Sequence, residues 1–188
     1  RRGLKLALPD WVRGMLLRPA ETFAQAQTQM RYAYLWILLS VFTIEAVILL
    51  YDPGIRSAAP SVPAGMLILN LLNLLLTLFV IQAALFLWSS RLFGWHIGLQ
   101  EAAKYTGLVW VLFLVEDIVT FVPYLTQRDW LVLLVSFPFL LWRIAAQTAG
   151  VRRISGLSRA RALGLVLVAT LPWNLPLLYL NWSSLMAQ

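Results

Sequence analysis

Polar positions thin out five times along this chain, and each time the apolar run is long enough to cross a bilayer. A spanning helix needs about 20 mostly apolar residues at a rise of about 1.5 Å each. Five stretches meet that length: 32–51, 66–88, 104–124, 130–149 and 162–182. The breaks between them are made of residues that stop helices or seek water. YDPGIRSAAPSVPAG combines three prolines with two glycines, and neither residue sustains a helix interior. SSRLFGWHIGLQEAAK mixes glycine with charge, LTQRD is a short polar turn, and GVRRISGLSRAR is basic and punctuated by glycine. Tyr32, Tyr34, Trp36, Tyr51, Trp88, Tyr124, Trp130 and Trp182 fall near the run ends, where amphipathic rings favour the headgroup layer. The pattern predicts an all-α polytopic membrane protein, a bundle of five transmembrane helices over 32–188.

The segment 1–31 reads differently. Leu8, Trp11, Val12, Met15 and Leu16 recur at helical spacing with Arg13 and Arg18 among them, which predicts an amphipathic interfacial helix on the inner leaflet. Pro19 is placed to restart the chain as a first helical residue, and AETFAQAQTQM is too polar to enter lipid. No short apolar core leads to a small-residue cleavage site, so a signal peptide is not expected.

Composition supports a lipid solvent: 61% of the 188 residues are hydrophobic and 12% charged, against about 25% charged in soluble domains. The absence of cysteine removes disulfides, thiolate metal sites and cysteine nucleophiles. The net charge of +7 informs topology more than nucleic-acid binding, and no nucleic-acid partner is expected. Six basic residues precede the first run, two (Arg91 and Lys104) border the second loop, and four (Arg152, Arg153, Arg159 and Arg161) fill the fourth. The opposite side holds Arg56 and Arg128. Positive loops stay in the cytoplasm, so the amino terminus is predicted inside and, after five spans, the carboxyl terminus outside. The four arginines of the fourth loop are candidate contacts for anionic headgroups, each worth about 1 kcal/mol near the surface.

Catalytic patterns are missing. His96 is the one histidine and lies in a predicted loop, and no GxSxG, P-loop or GxGxxG occurs; no catalytic residue, cofactor or enzymatic activity is expected. What the spans do contain is polar: Glu45, Asn70, Asn73, Glu116, Asp117, Arg143, Gln147 and Asn174. Ionisable groups in hydrocarbon cost about 2.5–3.5 kcal/mol and so turn to the bundle interior or a wet cavity. By helical rise, Glu45, Asn70, Asn73, Glu116 and Asn174 fall about 6–12 Å from the outer ends of their spans, with Asp117 at the margin. Two readings of this layer stand side by side. It is a cation or proton site built from oxygen ligands, with the metal undefined, or an interhelical hydrogen-bond network with at least one carboxyl kept neutral by the cost of burying charge. Glu116 and Asp117 diverge by about 100° on a helix, so both face inward only if the interior is wide. Arg143 either snorkels to the inner headgroups or pairs with a carboxylate of the third span. Ala145/Ala149 and Ala146/Gly150 form small-xxx-small pairs that permit close helix approach.

Three segments carry a resemblance. RPAETFAQA before the first span, LFGWHIGLQEAAKYTGLVW leading into the third, and GVRRISGLSRARALGLVLVATLP before the last resemble the Yip-domain family, five-span membrane proteins of the early secretory pathway with bacterial relatives. The D-L-Y-G-P segment of the eukaryotic members has no counterpart here, and Trp95 stands where a second loop glycine is common. The resemblance therefore implies a bacterial cytoplasmic-membrane protein without catalysis, organising membrane or recruiting partners from its cytoplasmic face. Its expected partners are membrane lipids and a further protein or a second copy. The alternative is an ion- or proton-coupled transporter using the polar layer.

Overall fold

The computed structural model describes residues 8–29, 33–50, 63–125, 129–170 and 172, and among them every regular element is an α-helix. The helices are α1 (Leu8–Leu17), α2 (Pro19–Gln29), α3 (Ala33–Leu50), α4 (Ala64–Leu92), α5 (Leu99–Leu125), α6 (Asp129–Ser155) and α7 (159–170). Helices thus run through all five apolar stretches, the last as far as residue 170.

The chain is organised around α5, which packs on α1, α2, α3, α4 and α6. Every residue from Lys104 to Leu112 is buried, as expected of a helix enclosed on all sides. Its neighbours bury one stripe each, at the spacing of three and four that a helix face requires. On α3 the stripe is Ile37, Leu38, Val41, Phe42, Glu45 and Ala46; on α4 it is Leu71, Leu75, Phe79, Ala83 and Phe86; on α7 it is Ala162, Leu165, Val166 and Ala169. Phe42 meets Trp110 at 5.1 Å and Phe79 at 6.2 Å, edge to face. Gly107 lets the Leu38 side chain approach the α5 backbone.

Outside the stripes the surface is apolar: Leu39, Val47, Leu69, Leu74, Val80, Leu134, Phe137 and Leu141 are exposed. A belt of that kind is what lipid contact demands and what water penalises. Two described segments, Gly65–Leu92 and Leu134–Ser155, are long and apolar enough to cross a membrane by length and composition. The α5 helix carries Glu101, Lys104, Glu116 and Asp117; over 104–112 it is enclosed by protein, and there it does not need an apolar outside.

One end of the bundle is capped by α1 and α2, the turn after α4 and the turn after α6. We refer to it as the basic end. Pro19 opens α2, whose only aromatic residue, Phe23, is fully buried and stacks on Tyr105 at 4.8 Å; Tyr105 in turn stacks on Phe86 at 3.8 Å. The ring of Phe23 occupies the space a Cβ at Gly150 would need, so the Ala146/Gly150 pair serves the α2–α6 contact. Lys104 Nζ donates to the carbonyl of Gln27 at 3.3 Å, a cation on the last turn of α2, where the helix dipole favours it.

The described part of 1–31 packs on the bundle. Trp11 and Met15 are 4% and 0% exposed and are turned to protein rather than to headgroups, because α1 packs on α2 and α5. Leu16 and Leu17 remain outward. Gly94 and Gly156 have φ of 79° and 69°, the left-handed conformation that ends a helix at low cost only in glycine. Gly156 leads through Leu157 to Ser158, whose Oγ accepts from Arg161 N and starts α7.

Candidate functional site

The polar residues of the spans separate into a cluster, an outward pair and one residue outside the described part of the chain. The cluster is centred on α5. Arg143 of α6 is 3% exposed, and its Nη1 donates to Glu116 Oε2 at 2.7 Å. Its guanidinium also lies 3.8 Å from the centroid of the Phe113 ring. Phe113 and Glu116 are three apart on α5, so one helix face supplies both the ring and the carboxylate. Of the two readings of Arg143, the geometry selects pairing with the third span.

Asp117 lies near Glu45 of α3, close enough for the two carboxyls to interact by charge. Glu45 is 5% exposed, and its Oε1 has no hydrogen-bond partner. The 100° divergence of Glu116 and Asp117 is thereby accommodated: on a central helix two different directions both lead to protein. Among the described residues, however, no three Asp, Glu or His side chains come together as a metal-binding group.

Asn70 and Asn73 do not join the cluster. Both are exposed on α4, because the buried stripe through Leu71, Leu75 and Phe79 turns them outward. Their rotation about the helix axis differs from the expected inward one. Asn174 lies outside the described residues.

Nearer the basic end, Tyr105 Oη donates to Gln147 Oε1 at 3.4 Å. Gln82 Oε1, Thr106 Oγ1 and Gln147 Nε2 are buried without partners around a cavity of about 10 Å³ walled by α4, α5, α6 and α7. That space is at the lower limit for a single water. Gln147 and Arg143 share a face at a spacing of four, so α6 carries one polar stripe from this cavity to the ion pair.

At the basic end itself the four loop arginines, all exposed, part company. Arg153 lines a cleft of about 320 Å³ with Gln27, Trp95, His96 and Glu101. Glu101 Oε2 accepts from Gly98 N at 2.8 Å, which fixes the start of α5. Arg152 and Arg159 lie instead on a groove of about 310 Å³ between α6 and α7. Arg161 lines neither. The cleft was not foreseeable from spacing, since its walls come from three separate parts of the chain. Its one local signal is the density of Trp95, His96 and Glu101.

No curated protein and no solved structure matches the chain. The Yip1 domain matches residues 13–180, from within α1 through every later helix described above. The chain belongs to the Yip1-domain family of non-enzymatic membrane proteins.

Proposed function

We propose that this protein recruits a partner protein to a bacterial cytoplasmic membrane, crossing it five times and working from its basic end, which faces the cytoplasm. The observation that carries this reading is the docked state of α1 and α2. Met15 and Phe23 are both 0% exposed, so the amino-terminal helices form a fixed platform, and the cleft beside them is held open between rigid walls. Its lining of tryptophan, histidine, one acid and one arginine suits protein recognition, where aromatic and arginine side chains dominate binding energy. A volume near 300 Å³ is the small end of ligand sites, enough for one or two inserted side chains.

Photo-cross-linking tests the reading. A cross-linking residue at His96 in the membrane-embedded chain is expected to yield one discrete protein adduct, lost when Glu101→Arg and Arg153→Glu are introduced. The same probe at lipid-facing Leu134 is expected to yield none. Equal adducts at both positions would overturn the proposal.

Transport through the polar layer is the second reading, and the unpartnered Oε1 of Glu45 beside Asp117 favours it. The Glu116–Arg143 pair argues the other way, since it neutralises the deepest cation inside the bundle. Proteoliposomes loaded with a pH-reporting dye decide between them: recruitment predicts no flux above empty vesicles, and a proton flux abolished by Glu45→Gln would establish transport.

A further inference from the structure

We propose that the groove between α6 and α7 seats one bilayer phospholipid with an anionic headgroup, its phosphate on Arg152 and Arg159 and one acyl chain along the groove. The walls divide by chemistry. Both arginines lie at the basic end, while Leu141, Ile144, Ala145, Thr148, Ala149 and Leu163 supply the rest, Thr148 donating its hydroxyl to the Ile144 carbonyl at 2.7 Å. From Arg152 to Leu141 the helical rise gives about 16 Å, close to half of the roughly 30 Å hydrocarbon core. The groove is therefore one leaflet deep, with its cations at headgroup level.

The small residues explain why a concavity exists there. Of the two small-xxx-small pairs on α6, Ala146/Gly150 is filled by Phe23, whereas Ala145/Ala149 faces the groove and leaves space that protein does not occupy. Gly156 and the Ser158 cap hold the turn that brings Arg159 beside Arg152. Lipid is the occupant that matches both halves at once: a soluble anion would need the arginines and not the apolar channel, and a neutral hydrocarbon the reverse.

This inference rests on the membrane placement proposed above and is independent of partner recruitment. The test is retention of phosphatidylglycerol against phosphatidylcholine, read by native mass spectrometry of the full chain released from detergent micelles. One phosphatidylglycerol per chain is expected, with phosphatidylcholine held more weakly. Arg152→Ala with Arg159→Ala is expected to weaken retention about thirtyfold, while Arg153→Ala with Arg161→Ala leaves it unchanged. Ala145→Phe fills the channel without touching a charge and is expected to abolish retention. Soluble glycerol phosphate in excess is expected not to compete. Equal loss in the two arginine pairs would mean diffuse charge, and full retention in Ala145→Phe or displacement by glycerol phosphate would mean a headgroup site alone; each would overturn the proposal. The cross-links from His96 persist in the Arg152→Ala/Arg159→Ala and Ala145→Phe variants if only this inference fails.

Discussion

Removing one partner of the Glu116–Arg143 pair should cost far more than removing both. Arg143 is 3% exposed and bonded to Glu116 at 2.7 Å, so Arg143→Met leaves a carboxylate desolvated beside an apolar ring. Breaking a buried pair in this way costs about 3–5 kcal/mol, whereas replacing both members by apolar or neutral groups of similar size is often neutral or better. The contact with Phe113 adds a desolvated cation–π term of about 2 kcal/mol to the arginine's side of the ledger. Glu116→Gln alone replaces the carboxylate facing the guanidinium with a neutral amide and is expected in the same range. At about 2–4 °C per kcal/mol for a chain of this size, each single substitution should lower the melting temperature in detergent by about 6–20 °C. The double variant should recover most of that loss. A double-mutant cycle on thermal unfolding, read by tryptophan fluorescence, gives the coupling directly. Additive losses, or single variants that melt with the parent, would refute the ion pair as the element joining α5 to α6.

Other perturbations separate the remaining contacts. Gly150→Leu should expel the Phe23 ring and undock α2, seen as faster hydrogen exchange across residues 19–29, with a cost of about 1–3 kcal/mol from overpacking. Asn70→Leu and Asn73→Leu should leave the melting temperature within the range of surface changes, about 0.5 kcal/mol; a larger loss would mean that these amides have partners. Thr106→Val should cost about 1 kcal/mol in chemical unfolding if the small cavity holds a bridging water, and a gain in stability would mean that it is dry.

The helices were readable because lipid demands length and apolarity together, and both are local properties of the chain. Charges in apolar runs have few places to go but inward, yet the sequence left Arg143 between the inner headgroups and a carboxylate, and only the fold shows it bonded to Glu116. Rotation was harder. Asn70 and Asn73 face out from α4, because that helix is apolar on the core side and the lipid side alike, and periodicity gives no contrast between them. The docking of α1 and α2 rests on contacts far apart in sequence, Phe23 with Tyr105 and Gly150, and Lys104 with Gln27. Only the lone aromatic of a polar helix and the small residues at 146 and 150 hinted at it. The arginines of the fourth loop looked equivalent in sequence; the fold sends Arg153 to the cleft and Arg152 and Arg159 to the groove.

All of this depends on which way the basic end faces. The chain contains no cysteine, so single introduced thiols report sidedness without background. In sealed right-side-out vesicles, His96→Cys and Arg159→Cys should resist a membrane-impermeant maleimide until the bilayer is permeabilised, and Ser61→Cys should react at once. Immediate labelling at 96 and 159 with protection at 61 would contradict the account.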